Sequence, residues 1–458
     1  MKFVADACEA EIRNGPGDLI IKNAITDSRS AKAGDLFFAI KGERFDGHDF
    51  LVEVSSKGAT GVVVEKHKIR ALLPDCAVLV VDDVRLALGK LAAAYRKDFS
   101  LPVIAVGGSN GKTTTKELIA SVLRQKLSTL WSEASFNNDI GVPATLLRLE
   151  KTHQATVLEV GTNHPGELAP LVKMIAPTLG VITSIGREHL EFFGDVAGVA
   201  QEEGMLAELL PADGILFING DCEWSEKIAT RTRARVARVG VGENNDWRAN
   251  KIRLDKSGVT FQVGNAKPEF CGEFRVNLLG RHQVTNALLA LAVGAELCLS
   301  RDEIGNGLAA CQPQKMRMQF WEANGVRVLE DCYNANADSM RAALETLCDL
   351  PLQGRRVAVL GDMGELGAQT GAAHREIGKF AAELKIGQLF TVGKNSAATA
   401  QAARDAGLTR VIEFADVEAA VRAVKNFLKP GDVVLLKASR ASRLERIAET
   451  LKSEKSVS

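Results

Sequence analysis

Val103-Ile104-Ala105-Val106-Gly107-Gly108-Ser109-Asn110-Gly111-Lys112-Thr113-Thr114 is the stretch whose reading decides the fold. Four apolar residues in a row read as a short buried strand. A glycine-rich turn follows, then a helix predicted from Thr113 to Leu127, with Leu118, Ile119, Val122 and Leu123 at helical spacing. Small residues at Gly108, Ser109, Asn110 and Gly111 let backbone N–H groups converge on phosphate oxygens, and the helix N-terminus adds a favourable dipole. Lys112 can reach the β- and γ-phosphates of ATP, and Thr113 can offer its hydroxyl to Mg²⁺. Val106 stands where the general G-x-x-x-x-G-K-[ST] pattern has glycine, so the match is one glycine short. A chance glycine-rich turn with a surface lysine is the bland alternative; strand, turn, Gly-Lys-Thr and helix coinciding here argue against it.

Outward from this loop, Ala155–Val160 and Gly180–Ile185 read as further buried strands. Strands alternating with helices imply a parallel sheet covered on both faces. The first hundred residues carry apolar runs at Asp35–Ile40, Gly61–Val64 and Ala77–Val81, then a helix from Asp83 to Arg96. Beyond Gln312-Pro313-Gln314, strands at Arg356–Leu360, Gln388–Val392 and Asp432–Leu436 alternate with Ala-rich helices, a Rossmann-like arrangement. With 458 residues, and about 100–200 residues per domain, three domains are expected, over 1–98, 99–313 and 314–458. The tail from Lys452 is expected to fray.

Composition sets exclusions. Lys+Arg and Asp+Glu are both 57, so no bulk positive field is available to hold nucleic acid. No apolar run reaches the roughly 18–20 residues of a membrane span. An acid at Asp6 interrupts any signal-peptide core, and the eight cysteines contain no C-x-x-C pair. A cytoplasmic protein with reduced thiols is the expectation. Aromatics are only 5%, so the cores must be aliphatic.

Two residues then stand out. Glu159 ends an apolar strand, where a carboxylate is costly unless paired or bound to a cation, and ligands collect at the carboxyl ends of parallel strands. It reads as an Mg²⁺ ligand, or else as an edge acid paired with a lysine. His189, in Gly186-Arg187-Glu188-His189, reads as a metal or phosphate partner at the same sheet edge, or as a solvated loop histidine.

The order of Gly107–Thr114, Asn137-Asn138-Asp139-Ile140-Gly141-Val142-Pro143, Glu159–Glu167 and His189-Leu190-Glu191 resembles that of the Mur ligases of peptidoglycan synthesis. Thr26-Asp27-Ser28-Arg29 and Gly34–His48 resemble the UDP-sugar-binding domain of that family. Asp331-Cys332-Tyr333-Asn334-Ala335-Asn336 and Gly361-Asp362-Met363-Gly364-Glu365-Leu366-Gly367 resemble its dipeptide-adding branch. The resemblance covers essentially the whole chain. It implies an α/β fold of three domains: an N-terminal UDP-sugar-binding domain, a central P-loop ATPase-like parallel sheet, and a C-terminal Rossmann-like domain that binds the incoming dipeptide and closes on ATP. It implies ATP-dependent addition of D-alanyl-D-alanine to UDP-N-acetylmuramoyl-tripeptide through an acyl phosphate, by a monomer using ATP and Mg²⁺. A Mur-type ligase adding a single amino acid, or a P-loop ATPase of different purpose, stays open as the alternative.

Carried over residue by residue, the resemblance implies catalytic roles for Lys112, Glu159 and His189. It puts ATP at residues 108–114 together with Asn286, Arg317 and Asp331, and metal at Thr113, Glu159 and His189. Ser28, Arg29, Lys41, Asn137, Asn138, Asn163, His164, Tyr333, Asn334, Asn336, Lys437 and Arg440 are the implied substrate contacts. For Asn334 and Asn336, plain turn chemistry is the competing reading. Three departures matter. The family has His-Asn where this chain has His282-Gln283, and Lys-Gly-Ser-Arg where it has Lys437-Ala438-Ser439-Arg440. The family's carbamylated lysine, which helps hold a second Mg²⁺, is matched by Glu203. Glu203 either supplies a permanent carboxylate to that cation or is a solvated helix residue.

Overall fold

The computed structural model describes residues 1–68, 73, 76–265 and 267–453. The last helix is Glu445–Lys452, and the rest of the expected frayed tail, 454–458, lies outside the described residues.

Three sheets follow one another along the chain. In the first, Asn23–Ile25, Asp35–Phe38, Gly61–Glu65 and Ala77–Val81 pair in parallel, and Glu11–Asn14 closes one edge antiparallel to Ala77–Val81. The helix Val84–Arg96 leaves this sheet. Asp83 caps it by accepting from Leu86 N–H at 2.9 Å. Buried Arg96 at its end donates to the carbonyls of Ile175, Phe99 and Ala176, anchoring the first domain to the second.

The central sheet has nine strands. Seven run parallel, in the order Thr129–Trp131, Ala155–Glu159, Val103–Gly107, Leu179–Ile182, Ile215–Asn219, Arg235–Gly240 and Trp247–Leu254. The expected parallel sheet is present, and two further strands are added to its edge. Val259–Gly264 and Gly272–Val276 extend it antiparallel. The physical reason is visible in burial. Val103 to Val106 are covered on both faces, whereas Val259, Phe261 and Val263 point inward and Thr260 and Gln262 outward, the pattern of a strand with one wet face. The helix after the phosphate loop is Lys112–Leu123, shorter than predicted. The chain must turn back before the edge strand Thr129–Trp131, and residues 124–127 do so as turns.

The third sheet has six strands. Val326–Asp331, Val433–Lys437, Arg356–Gly361, Gln388–Val392 and Val411–Phe414 are parallel, and Gln319–Ala323 pairs antiparallel on the edge. Its hairpin turns on Asn324-Gly325, both at positive φ (51° and 73°), the pair that suits the twist of such turns.

Candidate active site

The carboxyl ends of the central and C-terminal sheets meet across a cleft of about 450 Å³. Residues 109–114, Asn137, Glu159, Asn163, His189 and Asn286 line it from the central domain, and Arg317, Asp331, Tyr333, Asn334, Asn336 and Lys437 from the other side.

The phosphate loop begins where the strand Val103–Gly107 ends. Gly108 sits at φ 109° close against the loop after Leu179–Ile182, and a Cβ there would lie 2.5 Å from Thr183 Oγ1. Gly111 sits at φ 86° against Asn286, whose Oδ1 a Cβ would approach to 2.7 Å. Only glycine fits both positions. Ser109 N–H donates to Ser184 O at 2.7 Å, which ties the loop to the adjacent sheet edge. Lys112 Nζ donates to Gly108 O at 2.5 Å and lies 3.3 Å from Glu188 Oε2. Burial works against its charge, but Glu188, Glu203 and Glu159 outweigh burial and hold the ammonium above its ordinary pKa.

Glu159 closes its strand with 1% exposure. Asn137 Nδ2 donates to Oε1 at 2.9 Å, and its own N–H donates to Ser132 Oγ. Oε2 has no hydrogen-bond partner; the nearest cation, fully buried Lys116, is 4.0 Å away and donates to the carbonyls of Ser132 and Ala134. An orphaned carboxylate oxygen beside a phosphate loop, with the Thr113 hydroxyl in the same cleft, has the chemistry of a cation site. Among the described residues no three His, Cys, Asp or Glu side chains converge on one point, so Mg²⁺ here must draw further oxygens from phosphate or water.

His189 is not a solvated loop residue. Its side chain is 13% exposed, its φ is 48°, and it opens the short helix Leu190–Phe193. Its Nδ1 meets Glu365 Oε2 of the C-terminal domain at 2.5 Å. The solvated reading of Glu203 also fails. Glu203 is fully buried behind the phosphate loop, and Oε2 accepts from Gly108 N–H at 2.7 Å, while Oε1 has no partner. Burial pushes its carboxyl up to about 7, against the pull of Lys112. Glu203 is not part of the cleft lining.

On the opposite wall, Lys437 Nζ donates to Asp331 Oδ2 at 2.5 Å and to Asn334 O at 3.2 Å. The Arg317 guanidinium lies 4.0 Å over the Tyr333 ring and donates to Ser135 Oγ. Asn336 does two jobs: Oδ1 caps the helix Ala337–Asp349 by accepting from Ser339 N–H, and Nδ2 donates to Asn110 Oδ1 of the phosphate loop at 3.0 Å. Turn chemistry and a site contact are thus both present. Asn334 Oδ1 accepts from Ala335 N–H.

Other expected site residues lie apart from this cleft. Asn138 spends its carbonyl oxygen on Ile140 and Gly141 N–H, and His164 pairs with Glu167 on the surface. Arg440 is 59% exposed and turns to Met316 and Glu445. Ser28, Arg29 and Lys41 belong to the first domain, where Arg29 pairs with Asp27 and Lys41 O accepts from Arg85. Of the departures, Gln283 accepts from Asn286 Nδ2 at 2.9 Å and so holds that asparagine in place. Ala438 is buried and outside the positive-φ set, so glycine is not required there. Sequence reading missed Glu188, Ser135 and Asp338; only Glu188, an acid next to His189 after a buried strand, carried a local signal.

A phosphate loop on one sheet, facing a second Rossmann-like sheet across a cleft with an orphaned carboxylate, has the make-up of an ATP-using enzyme. Family models match along the chain: the Mur ligase family catalytic domain at 21–96, the Mur ligase middle domain at 106–294, and the Mur ligase glutamate ligase domain at 316–440. The chain belongs to the Mur ligase family, whose members are ATP-dependent ligases. It is 36% identical to the UDP-N-acetylmuramoyl-tripeptide–D-alanyl-D-alanine ligase of Escherichia coli, over 96% of both chains. It is also similar to crystal structures of MurF from Acinetobacter baumannii (TM-score 0.89, 33% identity, 99% and 98% covered) and of MurF ligase from Thermotoga maritima with ADP (TM-score 0.82, 28% identity, 96% and 99% covered).

Proposed function

We propose that this chain adds D-alanyl-D-alanine to UDP-N-acetylmuramoyl-tripeptide, with ATP converted to ADP and phosphate, in the cytoplasm. The carrying observation is the cleft itself, in which Lys112, Glu159 and His189 face Tyr333, Asn336 and Lys437 from another domain. The tripeptide carboxylate takes the γ-phosphoryl group of ATP, and the dipeptide amine then attacks the acyl carbon and expels phosphate. Lys112 meets the charge on the β- and γ-phosphates, and the loop amides orient them. Thr113 and Glu159 would hold Mg²⁺, which when bound neutralises phosphate charge. Asn286 and Gln283 border the nucleotide side, and Asn336 joins the phosphate loop to the C-terminal domain. Lys437, though paired with Asp331, supplies a buried cation for an anionic ligand. Domain docking keeps water from the acyl phosphate.

The alternatives lose support at definite points. The E. coli relative is named for adding D-alanyl-D-alanine, not for adding one amino acid. A motor or switch has no use for the second wall. Purified protein with ATP, Mg²⁺ and UDP-muramoyl-tripeptide should yield UDP-pentapeptide only when D-Ala-D-Ala is added. Phosphate release without the dipeptide, or without UDP-pentapeptide, overturns the proposal.

A further inference from the structure

Glu365 has no task in the reaction as derived, yet it reaches across the domain boundary to His189. Its Oε2 lies 2.5 Å from His189 Nδ1, and its backbone carbonyl accepts from Glu191 N–H at 3.0 Å. Glu365 adopts φ 58°, in the left-handed region that a glutamate occupies only at an energetic cost. Two residues on, Gly367 has φ 51°, and a Cβ there would lie 3.0 Å from Glu191 Cα. The Gly361–Gly367 run is thus pressed onto the turn that carries His189, and its backbone is held in a costly conformation to get there.

The chemistry of the contact is directional. Nδ1 makes no well-aligned hydrogen bond here, so the contact is a close charge approach; because a carboxylate only accepts, it favours the tautomer with the proton on Nδ1. Nε2 is left on the other side of the ring, 3.9 Å from Glu188 Oε2, which is itself 3.3 Å from Lys112 Nζ. A line of contacts therefore runs from the C-terminal domain to the phosphate-binding lysine. An exposed ion pair is the competing explanation, since the Glu365 side chain is 49% exposed. Such a pair needs neither the strained backbone nor the second contact to Glu191.

We propose that Glu365 is a positioning residue that orients the His189 ring from the opposite domain, so that the phosphoryl end of the site is complete only when the C-terminal domain is docked. The proposal rests on the ligase reading above. A carboxylate that fixes a functional histidine through its far ring nitrogen typically matters by about 10–100-fold.

The test uses the full chain with Glu365→Ala and Glu365→Gln. Glu365→Ala should lower kcat for UDP-pentapeptide formation by about 10–100-fold. Its KM for ATP should stay within about twofold, because the nucleotide contacts are untouched. Glu365→Gln keeps an acceptor oxygen and should recover most of the rate. In nucleotide-free protein, ring ¹⁵N spectra should show His189 with Nδ1 protonated in the wild type and Glu365→Gln, and as mixed tautomers in Glu365→Ala. The His189 signal is assigned by its loss in His189→Gln. A wild-type kcat in Glu365→Ala, or an unchanged His189 ring signal, overturns the proposal. If the wild type makes no UDP-pentapeptide, the ligase reading fails instead, and the ring spectra still decide whether Glu365 orients His189.

Discussion

At the scale of single residues, chemistry that belongs to one side chain was legible, and chemistry that belongs to a neighbourhood was not. Lys112 and Glu159 announce themselves by type and position. Lys112→Ala should cut kcat by about 10²–10³-fold in the coupled ADP assay, the loss expected when one charge-stabilising donor is removed. Retention of more than a tenth of the rate would contradict its assignment. Glu203 needed the fold, because nothing local says that a Gln-Glu-Glu run turns one acid into the sealed space behind the phosphate loop. Its folded pKa, near 7, exceeds its ordinary 4.5, so its contribution to stability is present below about pH 4.5 and is lost as pH rises through 7. Glu203→Gln should therefore gain on the wild type between pH 5 and pH 8, by on the order of 2–3 kcal/mol in nucleotide-free urea melts. A stability difference that stays constant over that range would sink this account. Among the cysteines, burial pushes Cys8 and Cys311 up to about 12 and Cys76 to about 11, while Cys271 and Cys298 are exposed. At pH 8 a thiol reagent should label the two exposed residues first, as read by peptide mass spectrometry.

At the scale of elements, helix starts and buried parallel strands were readable because they depend on near neighbours. Asp83 and Asn336 sit where capping chemistry requires them. The antiparallel extension of the central sheet was readable in principle from the alternation Val259-Thr260-Phe261-Gln262-Val263, but its pairing partner was not. Asn336 lets two roles be separated experimentally. Asn336→Asp keeps the oxygen that accepts from Ser339 and loses the amide that donates to Asn110. Asn336→Ala loses both, and should cost about 1 kcal/mol in thermal or urea unfolding. We expect Asn336→Asp to melt like the wild type yet show a raised KM for ATP. Equal KM values in Asn336→Asp and wild type would confine Asn336 to capping.

At the scale of the whole molecule, the working cleft exists only because two sheets present their carboxyl ends to each other. Arg187 fastens that arrangement. Its guanidinium reaches Asp338 at 2.6 Å and Glu376 at 2.5 Å, and its N–H donates to Asp338 Oδ2 at 2.9 Å. These groups are partly exposed, so the latch is worth only about 1 kcal/mol per pair. Arg187→Ala should leave each domain folded and loosen their docking. Small-angle scattering should then show a larger radius of gyration without nucleotide. An unchanged radius would show that the other contacts across the boundary suffice.

The sequence by itself determined the phosphate loop, the alternation of strands and helices and the acid at the end of Ala155–Glu159, because each depends on residues a few positions apart. Only the tertiary structure decided that Glu203 is sealed behind the loop, that Asn336 touches Asn110, and that Glu365 touches His189. Those partners stand 95, 226 and, for Glu365, more than 170 positions apart along the chain. Periodicity and spacing carry no information over such separations; packing within the central domain decides the first contact, and the docking of whole domains decides the other two.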